Sequence, residues 1–261
     1  MNALADLVLP QVRRWQAEQG PGLFTLGVAG AQGSGKSTLV RDLAARLVAD
    51  GLRVAVLSLD DLYLTRAERQ RLAAEVHPLF ATRGVPGTHD VALGLATIAA
   101  LARGEAAPLP RFDKGRDDCT PESDWSCAPA GTQVLLLEGW CLGAAPQPEG
   151  EVRLPVNDLE AREDPFGIWR RHANATLAGE YRQLWARIDR LVFLAAPDWE
   201  VVADWREQQE AELRQAAPGA MTPEEVARFI QHYERLTRWM LADLPGRADL
   251  TLRLDRQRRV I

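Results

Sequence analysis

Gly30-Ala31-Gln32-Gly33-Ser34-Gly35-Lys36-Ser37-Thr38 is the stretch on which the architecture turns. It fits the pattern G-x-x-x-x-G-K-[ST]. Glycines let successive backbone N–H groups turn inward with no Cβ in the way, which suits a phosphate chain. A helix starting near Lys36 aims the positive end of its dipole at the same point. Lys36 adds a mobile point charge for the β- and γ-phosphates, and the Ser37 hydroxyl can join the oxygen shell of Mg²⁺. All nine residues from Gly30 to Thr38 are therefore read as nucleotide-binding.

The flanks supply the context that this reading needs. Residues 23–29 are a short apolar run that reads as a buried strand. Residues 36–50 carry Leu39, Val40, Leu43, Leu47 and Val48 at helical spacing and stop at Gly51. A second apolar run lies at 53–59, so the order strand, turn, helix, strand implies a right-handed crossover and a parallel sheet. Further strands are predicted at 132–137, 190–195 and 249–254. Helices are predicted at 3–18, 65–75, 90–103, 166–185, 199–216 and 223–242. Thr222 is a natural cap for the last of these and Pro223 suits its first position. Residues 104–131, rich in Pro, Gly, Asp and Ser, read as a long surface excursion, and 141–165 as irregular. The fold class is thus α/β, a parallel sheet flanked by helices. The whole chain, 1–261, is one domain with an N-terminal helix at about 1–22 and a candidate helical lid at about 198–216.

Composition narrows the function classes. The 261 residues are 46% hydrophobic and 26% charged, too apolar for disorder, and the net charge of −5 argues against nucleic acid as the main partner. The Arg-rich run from Arg253 to Arg259 reads as a solvated terminal strand. The eight tryptophans read as core and loop anchors. Three cysteines, 119, 127 and 141, form no metal spacing and suit a reducing compartment. No apolar stretch approaches the ~18 residues of a membrane span, and no secretory leader is visible at the N-terminus. The expectation is a cytoplasmic protein with no membrane or nucleic-acid partner; the oligomeric state is left open.

Candidate chemistry clusters around the loop. Asp60 and Asp61 sit where strand 53–59 ends, at the sheet edge that forms the ligand crevice of open parallel sheets. A carboxylate there can take a proton from a substrate hydroxyl or hold a Mg²⁺-bound water. Glu138 ends the strand 132–137 and is placed to meet Mg²⁺ through water. The candidate metal set is Ser37, Glu138 and Asp60. Arg83, His89 and Asp90 on a tight loop, Arg111 and Lys114 on the long excursion, and Asp61 and Tyr63 are candidate substrate contacts. An anionic substrate would want Arg83, Arg111 or Lys114 near its negative group. Arg206 and Arg214, two turns apart on helix 199–216, share a face and are candidate lid residues, though Arg206–Glu210 and Glu210–Arg214 ion pairs are the plainer reading of that face.

These motifs, in this order, resemble the D-glycerate 3-kinase family within the phosphoribulokinase, uridine kinase and pantothenate kinase group of P-loop kinases. The residues that carry the likeness are 30–38, Ser58-Leu59-Asp60-Asp61-Leu62-Tyr63-Leu64-Thr65, Arg83-Gly84-Val85-Pro86-Gly87-Thr88-His89-Asp90, Leu109-Pro110-Arg111-Phe112-Asp113-Lys114, Leu137-Glu138-Gly139-Trp140-Cys141-Leu142-Gly143 and Trp205-Arg206-Glu207-Gln208-Gln209-Glu210. The resemblance implies a five-stranded parallel core, a P-loop after its first strand and a mobile lid. It implies ATP and Mg²⁺, Asp60 in the place of the catalytic base with Asp61 auxiliary, and Lys36 and Arg206 acting on the transferred group. Plant members carry a longer stretch after the position of Lys114, where this chain has only Gly115-Arg116-Asp117-Asp118. The expected activity is phosphorylation of a small anionic hydroxy acid, D-glycerate first. The alternatives are a pantothenate- or nucleoside-like acceptor, or a nucleotide-binding regulatory protein with little turnover.

Overall fold

In the computed structural model, residues 3–216 and 221–261 are described. Helix α1 (Ala3–Gln19) precedes strand β1 (Phe24–Gly30), which feeds helix α2 (Lys36–Ala49) and strand β2 (Val54–Ser58). Helices α3 (Arg66–Glu75) and α4 (Val91–Ala102) come next, then four short strands, β3 (Ala107–Leu109), β4 (Phe112–Asp113), β5 (Asp118–Cys119) and β6 (Ser126–Ala128). Strand β7 (Val134–Gly139) returns to the sheet, and α5 (Glu149–Val152), α6 (Asp158–Glu163), α7 (Ile168–Ala178) and α8 (Glu180–Trp185) lead to β8 (Arg190–Ala195). Helices α9 (Trp199–Ala216) and α10 (Pro223–Asp243) and strand β9 (Leu250–Arg253) complete the order.

The five long strands form one parallel sheet in the order β2-β7-β1-β8-β9. Strands β1 and β7 are buried at every position, which is why both read as unbroken apolar runs rather than alternating ones. Register matters more than order for function. Val28 of β1 and Ser58 of β2 both lie opposite Glu138 of β7. The carboxyl ends of three adjacent strands are therefore level, and the turns that leave them open into one crevice.

Three expectations need correcting. The helix predicted over 166–185 is two helices, α7 and α8, because Gly179 between them leaves the helical region (φ −96°, ψ −108°). The excursion 104–131 is folded as two antiparallel ribbons, β3–β6 and β4–β5. Within the irregular stretch 141–165, α5 and α6 pack under α10: Arg235 makes a buried ion pair with Glu160, at 2.6 Å, and Asn157 caps α6 while donating to the Gln231 carbonyl. No described helix is long and apolar enough to cross a membrane.

Two histidines are sealed in this framework. Burial pushes His89 down to about 4, against the pull of Asp60, and pushes His232 down to about 4, against its bond with the Phe229 carbonyl. Both are neutral in the folded chain, whereas an unfolded histidine titrates near 6.5. Below about pH 6.5 the unfolded state takes up protons that the folded state refuses, so the histidine contribution to stability falls steadily from about pH 6.5 to about pH 4 and is constant above that window. Melting curves from pH 7.5 to 4 will show this decline, and His232→Phe will have a shallower one than the parent; parallel curves would refute the assignment.

Candidate active site

The crevice at the carboxyl edge holds a cavity of about 650 Å³. Its floor is the turn between β1 and α2. Gly33 and Gly35 there have left-handed backbones, with φ +75° and +92°. A Cβ on Gly33 would lie 2.6 Å from the Cβ of Trp205, and one on Gly30 would lie 2.8 Å from Ser34 Oγ, so the turn closes only with glycine at these positions. Lys36 Nζ folds back to donate to the Ala31 carbonyl at 3.1 Å. Burial lowers the Lys36 pKa, against the pull of Glu138 and Asp60. An anion set beside it would relieve that cost. Ser34 Oγ is buried in the same turn without a partner.

One carboxylate knits the ends of three elements. Glu138 Oε1 accepts from Ser37 Oγ at 2.9 Å and from Ser58 Oγ at 3.0 Å. Past Ser58 the chain makes a 3₁₀ turn, Leu59–Leu62, in which Ser58 Oγ accepts from the Asp60 N–H. That turn aims Asp60 into the cavity. Asp60 Oδ1 accepts from Tyr63 Oη at 2.8 Å, and Oδ2 accepts from Lys114 Nζ at 2.6 Å. Burial alone would raise the Asp60 pKa; the Lys114 ammonium, the Tyr63 hydroxyl and Lys36 outweigh it and hold the carboxyl below its ordinary range.

The far wall comes from α9 and α10. Arg206, Gln209, Glu212 and Leu213 line it from α9, and Phe229 and Tyr233 from α10. Arg206 pairs with Glu210 and lies over the Phe229 ring at 5.7 Å. Tyr233 Oη donates to the Arg83 carbonyl and Trp140 Nε1 to the Gly84 carbonyl, which locks the 83–90 turn onto the cavity rim. Gly84 has φ +130°, and a Cβ there would overlap Tyr233.

The cavity thus gathers Gln32, Gly33, Gly35, Lys36, Ser37, Thr38, Asp60, Tyr63, Arg83, Lys114, Glu138 and Arg206 from the residues singled out in the sequence. Gly30, Ala31 and Ser34 complete the turn without lining the cavity, and five others, Asp61, His89, Asp90, Arg111 and Arg214, lie off its wall. Asp61 accepts from Arg111 at 2.9 Å and from the Phe112 N–H at 3.1 Å, so this pair anchors β4 from outside rather than facing the cavity. His89 is bonded to Tyr181 and stacked on Tyr63 at 4.7 Å; it supports Tyr63 from behind. Asp90 caps α4 by accepting from the Leu93 N–H. Arg214 pairs with Glu207 and donates to the Met221 carbonyl at 2.6 Å, tying α9 to the start of α10. It does not reach Glu210, which is taken by Arg206 and by the Met221 N–H.

Sequence reading missed Trp140, Phe229 and Tyr233 as wall residues, and it missed Arg258. The run 253–259 is not merely solvated. It turns back on itself at the Leu254–Val260 bridge, and Arg258, with φ +64°, stacks on Trp205 at 4.9 Å and donates from Nε to the Gly33 carbonyl at 2.6 Å. It also reaches Gln208 on α9 at 3.1 Å. Nothing local distinguishes this arginine from its neighbours; only the tertiary contact does.

Comparison with known proteins agrees with this geometry. The family model of the methylmalonyl-CoA mutase-associated GTPase MeaB matches residues 11–63, the segment that contains the phosphate-binding turn and β2. An uncharacterized kinase of Schizosaccharomyces pombe, mug58, is 37% identical over 222 residues, spanning 80% of this chain and 78% of that one. The chloroplastic D-glycerate 3-kinase of Arabidopsis thaliana is 32% identical over 221 residues, 80% of this chain but 46% of the plant protein's length. The solved D-glycerate 3-kinase of Cryptococcus neoformans superposes with a TM-score of 0.84 at 25% identity, covering 100% of this chain and 98% of that one. The protein is an ATP-dependent P-loop kinase, and the chain belongs to the D-glycerate 3-kinase family.

Proposed function

We propose that the protein phosphorylates the hydroxyl of a small hydroxy acid, D-glycerate to 3-phosphoglycerate, in a single domain whose helix α9 acts as the lid. The observation that carries this reading is Asp60. Its carboxylate faces the cavity, with one oxygen oriented by Tyr63 and with the cations Lys114 and Arg83 on the same wall. A relative of this chain is named for D-glycerate, which has a hydroxyl and a carboxylate a few bonds apart. That pairing suits a base and a cation set side by side.

ATP is the phosphoryl donor. Its triphosphate fits the turn 30–38, where left-handed glycines open the backbone and the half-buried Lys36 and the unpartnered Ser34 hydroxyl would meet phosphate oxygens. Ser37 and Glu138 would hold Mg²⁺, the hydroxyl as an oxygen donor and the carboxylate through water. Bound there, the ion would neutralise charge on the β- and γ-phosphates. Asp60 is less suited to direct ligation, with both oxygens engaged by Tyr63 and Lys114, and is assigned the proton instead. Asp60 orients the acceptor hydroxyl for in-line attack and takes its proton, while Lys36 and Arg206 stabilise charge on the group in transfer. Closing α9 over the cavity would press Arg206, already on its wall, towards the transferred group and exclude water.

Mass detection of the phosphorylated product from a pool of hydroxy acids, polyols and nucleosides with ATP tests the substrate. A phosphoglycerate product is expected; ADP release with another acceptor and none above background with glycerate would overturn the assignment. Asp60→Asn will keep ATP binding and lose at least ~10²-fold in kcat, the scale of general-base catalysis. Unchanged turnover would remove Asp60 from the role. Arg258→Met will raise the KM for ATP by about 10-fold with kcat little altered, because a charged hydrogen bond to the Gly33 carbonyl is lost.

A further inference from the structure

Lys114 is the first residue beyond β4, at the tip of the β4–β5 hairpin. The tip is pinned on every side. Asp113 Oδ1 accepts from the N–H groups of Gly115, at 2.8 Å, and Arg116, at 3.2 Å. Asp117 pairs with Arg69 at 2.9 Å and with Arg83, and its carbonyl accepts from Arg69 at 2.7 Å. Arg69 is itself only 1% exposed. Asp61 holds the Phe112 N–H at the base of the hairpin. The Lys114 backbone is therefore fixed, whereas its side chain is 60% exposed and free to swing about that fixed point.

The ammonium ends on Asp60 Oδ2, and Tyr63 occupies Oδ1. An acceptor hydroxyl must displace one of them to reach the carboxylate. Tyr63 cannot leave. Its ring is buried, stacked on His89 at 4.7 Å and met edge-on by Phe112 at 5.2 Å. Lys114 can: its stem is flexible and largely exposed, so an incoming anion can reach its ammonium even though its partner Asp60 is half-buried. A neutral hydroxyl gives that ammonium no reason to move; a carboxylate or other anionic group beside the hydroxyl does. Arg83 faces the same cavity but is held by Asp117, so it offers a stationary second cation for the same group.

We propose that Lys114 is a substrate-operated latch on Asp60: without acceptor it masks Oδ2, and an acceptor with an anionic group next to its hydroxyl draws the ammonium onto itself and uncovers that oxygen. The proposal rests on Asp60 being the base. In the transfer step, the hydroxyl oxygen bonds to the γ-phosphorus and the bond from that phosphorus to the β–γ bridging oxygen breaks, its electron pair leaving with ADP. The hydroxyl proton passes to Asp60 Oδ2 and then to solvent. Lys114 keeps its protons throughout and serves as counter-ion to the acceptor's anionic group. Recognition of charge and release of the base are thus one event, and water, which carries no anion, does not trigger it.

The test uses the full chain and its Lys114→Met and Lys114→Arg variants, with ATP hydrolysis measured without acceptor and kcat/KM measured for D-glycerate and its neutral amide. In Lys114→Met the preference for the anion over the amide should shrink by about 10- to 100-fold, the worth of one charge-assisted hydrogen bond. Acceptor-free hydrolysis should rise several-fold, and the rise should vanish in the Asp60→Asn/Lys114→Met double variant. Lys114→Arg should retain the preference. An unchanged preference overturns the proposal. So does a lost preference with no rise in hydrolysis, which would make Lys114 a plain counter-ion, or a rise that survives loss of Asp60. Should the parent enzyme phosphorylate neither glycerate nor its amide, the substrate assignment fails separately; acceptor-free hydrolysis then still decides the latch, a rise supporting it and its absence overturning it.

Discussion

Everything at this site depends on the level register of β2, β7 and β1. With Glu138 opposite both Val28 and Ser58, one buried carboxylate bridges the hydroxyls of Ser37 and Ser58. A slip of one residue in either pairing would turn Glu138 to the other face of the sheet and break both bonds. The phosphate turn, the Ser37 and Glu138 oxygens and the Asp60 turn share a crevice because three strands stop at one height.

Around that fixed edge the protein grades its rigidity. The floor is held by glycine geometry and by Arg258, which reaches in from the C-terminal turn to the Gly33 carbonyl. The side formed by the β4–β5 hairpin is held by ion pairs, with Arg69 and Arg83 converging on Asp117 and Arg111 on Asp61. The wall from α9 is anchored at Trp205, buried against Gly33 and Arg258, and opens to solvent further along, where Leu213 is exposed.

Charge is arranged with the same economy. Four cations, Lys36, Lys114, Arg83 and Arg206, face one cavity in a chain whose net charge is −5. Bulk acidity therefore says little about the site. The total charge describes the solvated surface, while binding is governed by the few cations that the fold collects at one edge.

The sheet, its order of strands and helices, and the phosphate turn were legible in the sequence because each is a local matter: buried parallel strands must be apolar throughout, and a phosphate cradle needs glycine and lysine at set spacings. Asp60 and Glu138 were legible for the same reason, as acids at strand ends. Which neighbouring residues join them was not. Asp61 and Asp60 are adjacent and identical in type, yet a 3₁₀ turn sends one into the cavity and the other to Arg111 and Phe112. His89 and Asp90 look like site residues and serve as a prop and a cap, whereas Arg258 looks like solvated surface and touches the phosphate turn. Local spacing determines which elements form; the direction of a side chain at an element's end depends on contacts 50 to 225 residues away, and only the folded chain decides it.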